Sequence, residues 1–150
     1  FGSPILAFPI SRRLMIRTIP RRERDVSWVV IPSNLADPLV PAADFLGSLR
    51  HLVRIYLPGG HPGLESVSEV TGASLRTLQR RLGAAGTSYS ELVDEVRLEA
   101  ALPLLEDPTV PVNEIAFGVG YSRPAHFTRA FKRWTGVTPS TYRANAAALG

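Results

Sequence analysis

From Ala42 onward, apolar residues recur three and four positions apart between short polar or glycine-containing breaks. This spacing places the apolar side chains on one face of a helix, so it predicts a series of short amphipathic helices. The seven predicted helices contain the apolar positions of 45–56, 64–70, 75–82, 92–105, 115–119 and 127–134 and the segment that begins at Pro139.

Turn and capping residues mark the ends of these helices. Gly72 supplies the break between the second and third helices, since glycine accepts a positive φ without strain. Ser74 is predicted to cap the third helix and Ser122 the sixth, because a serine hydroxyl accepts from a free N–H of the first turn. Ser88 and Glu91 have the spacing of a capping box at the start of the fourth helix.

Pro103 lies inside the apolar pattern of the fourth helix. A proline there lacks the N–H that would bond the Glu99 carbonyl, and its ring clashes with that carbonyl, at a cost of about 3 kcal/mol. We therefore expect the fourth helix to kink near residues 99–102 or to end early. Either outcome would change the angle between the elements that this helix joins.

Residues 1–42 differ from the rest of the chain and predict a short mixed or irregular segment. FGSPILAFPI has an apolar run ending in proline, which suits an edge strand, and SNLADPLVPA reads as a linker. The basic stretch between them is interpreted as a domain edge, with a DNA-touching arm at Arg21, Arg22 and Arg24 as the alternative. The chain begins at Phe1, and we expect it to be a fragment of a longer protein.

The helical part contains a repeated arrangement of two helices around a tight turn. The predicted units cover about 64–86 and 112–136, and a long helix of about 88–107 joins them. In each unit the second helix has an apolar face and a polar face. Leu75, Leu78 and Leu82 are predicted to face inward in the first unit, and Phe127 and Phe131 in the second unit. The side chains predicted to project are Arg76, Thr77, Gln79 and Arg80, and then Arg123, His126, Arg129 and Arg133.

The charge distribution favours a polyanionic partner. The chain carries a net charge of +4, yet 91–107 is rich in acidic residues, and no acidic residue follows Glu114. A helix pair with one cationic helix is suited to the major groove of DNA. There, arginine pairs with guanine and glutamine with adenine, which gives Arg76, Gln79 and Arg80 a chemical role.

Several other classes of protein are excluded or disfavoured. The chain has no cysteine, so disulfides, thiolate metal sites and cysteine nucleophiles are excluded. No apolar run reaches the ~20 residues of a membrane span. His51 and His61 do not form a metal site by themselves, and no catalytic pattern is present, so we expect neither an enzyme nor a cofactor. The alternative to DNA binding is a helical protein-interaction module.

Three segments together resemble the AraC/XylS family of bacterial transcription regulators. SLRTLQRRL resembles that family's first recognition helix, and IAFGVGYSRPAHFTRAFKRWTGVTPSTYR is similar to its signature. Arg97, Ala101, Leu104 and Leu105 resemble its linker helix. The match covers about residues 43–143. It implies an all-α, seven-helix domain whose two helix-turn-helix units enter adjacent major-groove segments of promoter DNA.

The same resemblance implies the surroundings of the intact protein. Residues 1–32 are similar to the end of a sensor domain, most of which is absent, through which a small-molecule effector would act. The implied setting is the bacterial cytoplasm at the nucleoid, with RNA polymerase as a partner and no membrane. The domain division is therefore 1–42 and 43–150.

Residue by residue, the resemblance and the projecting faces predict one set of DNA contacts. The expected contact residues are Ser74, Arg76, Thr77, Gln79, Arg80, Ser122, Arg123, Ala125, His126, Arg129, Lys132 and Arg133. The first unit is expected to read bases more strictly, since Pro124 and Ala125 of the second unit offer no hydrogen bonds.

Three further side chains have two interpretations each. Arg97 is expected in an ion pair with Asp94, Glu99 or another helix, with a DNA contact as the alternative. Trp134 is expected in the core, with stacking on a nucleotide as the alternative. Ser68, where the family usually has alanine, needs a partner for its hydroxyl, such as a carbonyl of its own helix.

Overall fold

Seven α-helices and one 3₁₀ turn make up the part of the chain that the computed structural model describes, residues 41–149. They are α1 (Ala42–Tyr56), the 3₁₀ turn (Leu57–Gly59), α2 (Leu64–Thr71), α3 (Leu75–Ala84), α4 (Tyr89–Glu106), α5 (Val112–Gly118), α6 (Pro124–Thr135) and α7 (Pro139–Leu149). The all-α, seven-helix prediction is confirmed. The predicted edge strand, basic arm and sensor-domain remnant lie in residues 1–40, outside the described residues.

The long helix α4 takes part in two separate cores, one at each end. Its first half contributes Leu92 and Val96 to a core with α1, α2 and α3, and its second half contributes Ala101 and Leu105 to a core with α5 and α6. Ala100 packs against both cores. The linker helix is therefore a shared structural part of both units.

Ion pairs join the acidic face of α4 to α1. The Arg50 guanidinium donates to Glu95 and, at 3.1 Å, to Glu99, and Arg54 donates to Glu99 at 2.6 Å. These groups are exposed, and such pairs are each worth ~0–1 kcal/mol. Their main consequence is that α1 pairs with two of the six acidic side chains of residues 91–107.

The expectation that the fourth helix ends early at Pro103 is wrong. The helix continues to Glu106, and the proline side chain is exposed. Pro103 lies in the last turn, where Leu105 is fully buried beside it. The Arg143 side chain of α7 donates to the Leu105 carbonyl at 3.1 Å and to the Val110 carbonyl at 2.7 Å. Tertiary packing thus holds a turn that local propensity disfavours.

Replacing Pro103 by alanine should raise the free energy of unfolding by roughly 1–3 kcal/mol, because an exposed helical site regains a donor and loses a clash. The measurement is urea denaturation followed by circular dichroism. Pro108→Ala is the matched control, since Pro108 is exposed and lies in the turn after α4. It should leave stability unchanged or lower it. A loss of stability in Pro103→Ala would show that the proline is accommodated without strain.

Candidate nucleic-acid interface

The turn of the first helix pair is held by two side-chain hydroxyls. Gly72 adopts the left-handed conformation with φ of 68° and separates α2 from α3. The Thr71 hydroxyl donates to the Val67 carbonyl at 2.7 Å and accepts from the Ala73 N–H at 3.3 Å. The Ser68 hydroxyl donates to the Ala73 carbonyl at 2.6 Å. Ser68 therefore bonds across the turn rather than to its own helix, which helps fix the angle at which α3 leaves α2.

The start of α3 is capped as predicted. The Ser74 hydroxyl accepts from the Thr77 N–H at 3.2 Å and shares a 2.9 Å hydrogen bond with the Thr77 hydroxyl. Both hydroxyls are thus engaged with each other and with the helix end, so their first role is to form the cap.

The exposed face of α3 presents three polar side chains in a row. Arg76, Gln79 and Arg80 are exposed and stand three and four residues apart, which places them on one side of the helix. Leu78 and Leu82 face the first core as predicted. Leu75 does not, because its side chain is 37% exposed at the first position of the helix. It lies at the edge of the polar row, beside Gln79.

The turn of the second pair is anchored by aromatic rings. Gly120 has φ of 84°, and the Tyr121 N–H donates to the Ala116 carbonyl at 2.9 Å. The Tyr121 ring lies 5.8 Å from the Phe127 ring and 6.4 Å from the Trp134 ring. The turn is therefore fixed against the inward face of α6.

The N-cap of α6 is Arg123, not Ser122. A residue before proline is driven to extended backbone, and Arg123 adopts φ of −136° and ψ of 123° ahead of Pro124. No side chain caps this helix, and Ser122 lies exposed in the preceding bend. Ser122 and Arg123 thus stand at the positive end of the α6 dipole, where an anion is favoured.

The exposed residues of α6 form two rows. Ala125, Arg129 and Lys132 are exposed and stand four and three residues apart, opposite the buried Phe127 and Phe131. His126 and Arg133, seven residues apart, form a second row that is also exposed.

Arg133 has a partner within the protein that the sequence did not indicate. Its guanidinium donates to the Asp94 carboxylate of α4 at 2.7 Å, and the Trp134 indole N–H donates to the same oxygen at 3.1 Å. Trp134 is partly buried in the second core, as expected. Asp94 thereby draws one of the predicted contact cations toward the linker helix.

The other predicted contact cations form no ion pair with residues 41–149. Among residues 41–149, ion pairs involve Arg50, Arg54 and Arg133. The predicted contact cations that take part in none of them are Arg76, Arg80, Arg123, Arg129 and Lys132. All five are exposed. Each unit therefore offers free positive charge beside its recognition helix.

The described part of the chain contains neither a cluster of metal ligands nor a helix suited to a membrane span. Residues 41–149 hold no group of three or more His, Asp or Glu side chains placed to bind a metal ion. None of the helices between Ala42 and Leu149 has the length and apolar content needed to cross a membrane.

The chain is similar to several proteins named as transcription regulators. A family model described as "Helix-turn-helix domain" matches residues 67–145. The ornithine utilization regulator of Pseudomonas aeruginosa is 39% identical over 99 residues, covering 65% of this chain and 29% of that protein. The regulator VirS of Mycobacterium tuberculosis is 29% identical over all 150 residues, which span 44% of its length. This chain thus covers less than half of either relative.

A solved structure has the same fold. The DNA-binding domain of the global transcriptional factor AdpA, in complex with a target DNA, superposes with a TM-score of 0.62 at 26% identity. The match covers 69% of this chain and 94% of that domain. With the family match over more than half of the residues, these findings show that the chain belongs to the AraC-type helix-turn-helix family of DNA-binding transcription regulators.

Proposed function

We propose that this chain inserts α3 and α6 into adjacent major-groove segments on one face of bacterial promoter DNA. The observation that carries the proposal is that each unit presents a recognition helix with exposed, unpaired cations. One helix of 18 residues joins the units, and it spans about 27 Å. The flanking helices extend that reach toward the ~34 Å that separates consecutive groove segments.

The two units divide the work of recognition. Arg76, Gln79 and Arg80 on α3 supply donors and acceptors that match base edges, so the first unit reads sequence. Leu75, exposed beside Gln79, adds an apolar group that a thymine methyl would contact. Ser74 and Thr77 contribute at the cap, next to the DNA backbone.

The second unit binds chiefly the phosphates. Ala125 offers only a methyl group, and Arg133 is held by Asp94. Arg129 and Lys132 remain free on the row opposite the core. Ser122 and Arg123 stand at the helix end, where the dipole favours a phosphate. His126 borders this face and supplies a further hydrogen-bonding group.

Beyond this domain, we propose that the intact regulator responds to a small-molecule effector and contacts RNA polymerase at the promoter. The resemblance of residues 1–32 to the end of a sensor domain supports the first of these partners. A promoter target places the protein at the nucleoid in the bacterial cytoplasm.

Selection from a random duplex pool tests the proposed division of labour. The chain of 150 residues should enrich two conserved segments one DNA turn apart, with the stricter one under α3. Gln79→Ala and Arg80→Ala should each cost about 1–3 kcal/mol of binding and relax particular base positions. Lys132→Ala should weaken binding to all duplexes about equally, because a phosphate contact carries no base information.

Arg50→Ala is the matched control. Arg50 lies on α1, outside both recognition helices, and is paired with Glu95 and Glu99 of α4. Its affinity and base preference should equal those of the unmodified chain. If Lys132→Ala changed base preference while Arg80→Ala did not, the proposed orientation of the helices on DNA would be wrong.

A further inference from the structure

Arg97, near the middle of α4, holds the turn of the second unit. Its Nε donates to the Val119 carbonyl at 3.2 Å and its Nη2 to the Gly120 carbonyl at 3.4 Å. The guanidinium carbon lies 4.4 Å from the centre of the Tyr121 ring. Three consecutive residues of the turn that precedes α6 are thus bound by one side chain.

The same guanidinium reaches the loop that precedes the first unit. Its Nη2 lies 3.0 Å from Nδ1 of His61, in the loop that leads from the 3₁₀ turn into α2. The His61 ring lies 6.3 Å from the Tyr89 ring, and the Tyr89 hydroxyl donates to the Pro62 carbonyl at 2.5 Å. Within residues 41–149 the expected ion pair of Arg97 is not formed, because Asp94 accepts from α6 and Glu99 accepts from the arginines of α1.

The backbone of the second unit's turn also meets the 3₁₀ turn that precedes the first unit. A Cβ built on Gly120 would lie 2.5 Å from the Leu57 carbonyl oxygen and 3.5 Å from the Gly60 Cα. Leu57 belongs to the first core. The loop that contains His61 therefore abuts the second unit's turn directly, and Arg97 is hydrogen-bonded to both sides of the contact.

We propose that Arg97 is the positioning residue for two-segment DNA binding: by joining His61 to the Val119 and Gly120 carbonyls, it fixes the register of α3 relative to α6 and so selects the spacing of the two DNA segments. The inference rests on the proposed insertion of both recognition helices. The physical basis is that α4 alone joins the units by a single helix with a proline in its last turn. The contact through Arg97 is a second connection, and it restricts rotation of the units about the α4 axis.

The junction requires a neutral His61. An arginine guanidinium carries only donors, so Nδ1 must be the acceptor and the ring proton must be on Nε2. Burial chiefly, and then the Arg97 charge, lower the pKa of His61, while Asp94 opposes them. The other ionisable groups nearby are Tyr89 and Tyr121, with Arg133 on Asp94 and Glu65 near Tyr89.

The sign of the pH effect follows from this lowered pKa. At pH above the unfolded value of 6.5 the ring is neutral in both states, and the junction contributes fully. As the pH falls below that value and through the lower folded pKa, the ring becomes charged and opposes Arg97. Acidification should therefore loosen the register of the two units.

Spacing preference is the readout that a merely structural role would not move. The probes are the duplex selected by the unmodified chain, the same duplex with one base pair inserted between its segments, and two duplexes with one segment scrambled. The unmodified chain should lose at least about tenfold in affinity on the insertion. Arg97→Lys and His61→Ala should reduce that penalty to less than about threefold while binding to the single-segment duplexes changes less than about twofold.

A pH series provides the second readout. For the unmodified chain, the ratio of two-segment to single-segment affinity should fall between pH 7.5 and 5.5. His61→Gln should remove the pH dependence, because glutamine keeps an acceptor for Arg97 and does not titrate.

The outcomes distinguish a failure of the Arg97 inference from a failure of the proposed two-segment function. If the variants weaken all duplexes equally or keep the spacing penalty, Arg97 is only structural and the inference is overturned. Should Arg97→Lys fail to fold by circular dichroism, His61→Ala decides alone, since His61 lies in the loop before α2 and belongs to neither core. If the unmodified chain selects no second segment at all, it is the proposed two-segment function that fails.

Discussion

Gly120→Ala should lower the free energy of unfolding by roughly 3–5 kcal/mol, a loss near the upper end for a single substitution. The φ of 84° already disfavours any side chain at this position. In addition, the new Cβ would lie 2.5 Å from the Leu57 carbonyl oxygen, a backbone atom of a residue fully packed in the first core. The two strains add, because the turn cannot relax without separating the units.

Gly86→Ala is the matched control for this prediction. Gly86 has φ of 75°, and a Cβ there meets nothing within 4 Å. Only the backbone strain remains, so the loss should be about 1 kcal/mol. Urea denaturation of the two variants measures the difference. Equal losses would mean that the units are not in contact at Gly120 in solution.

Binding to the selected duplex should weaken at least about a hundredfold between roughly 50 and 200 mM salt. A hundredfold loss over a fourfold rise in salt corresponds to a slope of about −3.3, which about four neutralised phosphates produce. Five exposed cations on α3, on α6 and at the N-cap of α6 supply that number, and they form no ion pair with residues 41–149. Arg81 and Arg133 contribute less, since Arg81 lies 4.3 Å over the Phe45 ring and Arg133 is paired with Asp94.

Two variants calibrate the salt response. Lys132→Ala should reduce the steepness of the slope by about one unit. Arg54→Ala should leave it unchanged, because Arg54 is paired with Glu99 on the α1 side of the linker. A flat response of the unmodified chain would instead favour the helical protein-interaction module.

Much of the helical framework follows from the sequence alone, because the interactions that define it are local. The three- and four-residue spacing of apolar positions correctly placed the first six helices, and Pro139 at a first helical position correctly placed the seventh. The capping serines at Ser74 and Ser88 bond backbone N–H groups three residues ahead. Gly72 and Gly136 stand in the left-handed conformation where a helix ends. The repeated helix pair predicted the two-unit arrangement, and the family resemblance implied the same arrangement.

Predictions failed or stayed incomplete where a partner lies far along the chain. The sequence predicted a partner for Arg97 but did not identify the His61 ring. It predicted that Arg133 projects and did not identify the Asp94 carboxylate that binds it. These partners lie 36 and 39 residues away. Packing of the second core also carries α4 past Pro103, against its local preference.

The local errors have a similar origin. Ser122 was expected to cap α6, but the restriction that Pro124 imposes on its neighbour moves the N-cap to Arg123. Leu75 was expected in the core from its periodicity, yet the first residue of α3 lies at the edge of the buried face.

By itself, then, the sequence determined which helices form, most of their ends, and which faces carry cations, because spacing and capping act within four residues. Only the tertiary structure decided which cations remain free for DNA and how the two units meet at Gly120. Those features depend on α4 bringing distant segments together, and a side chain finds its partner only after the cores have packed.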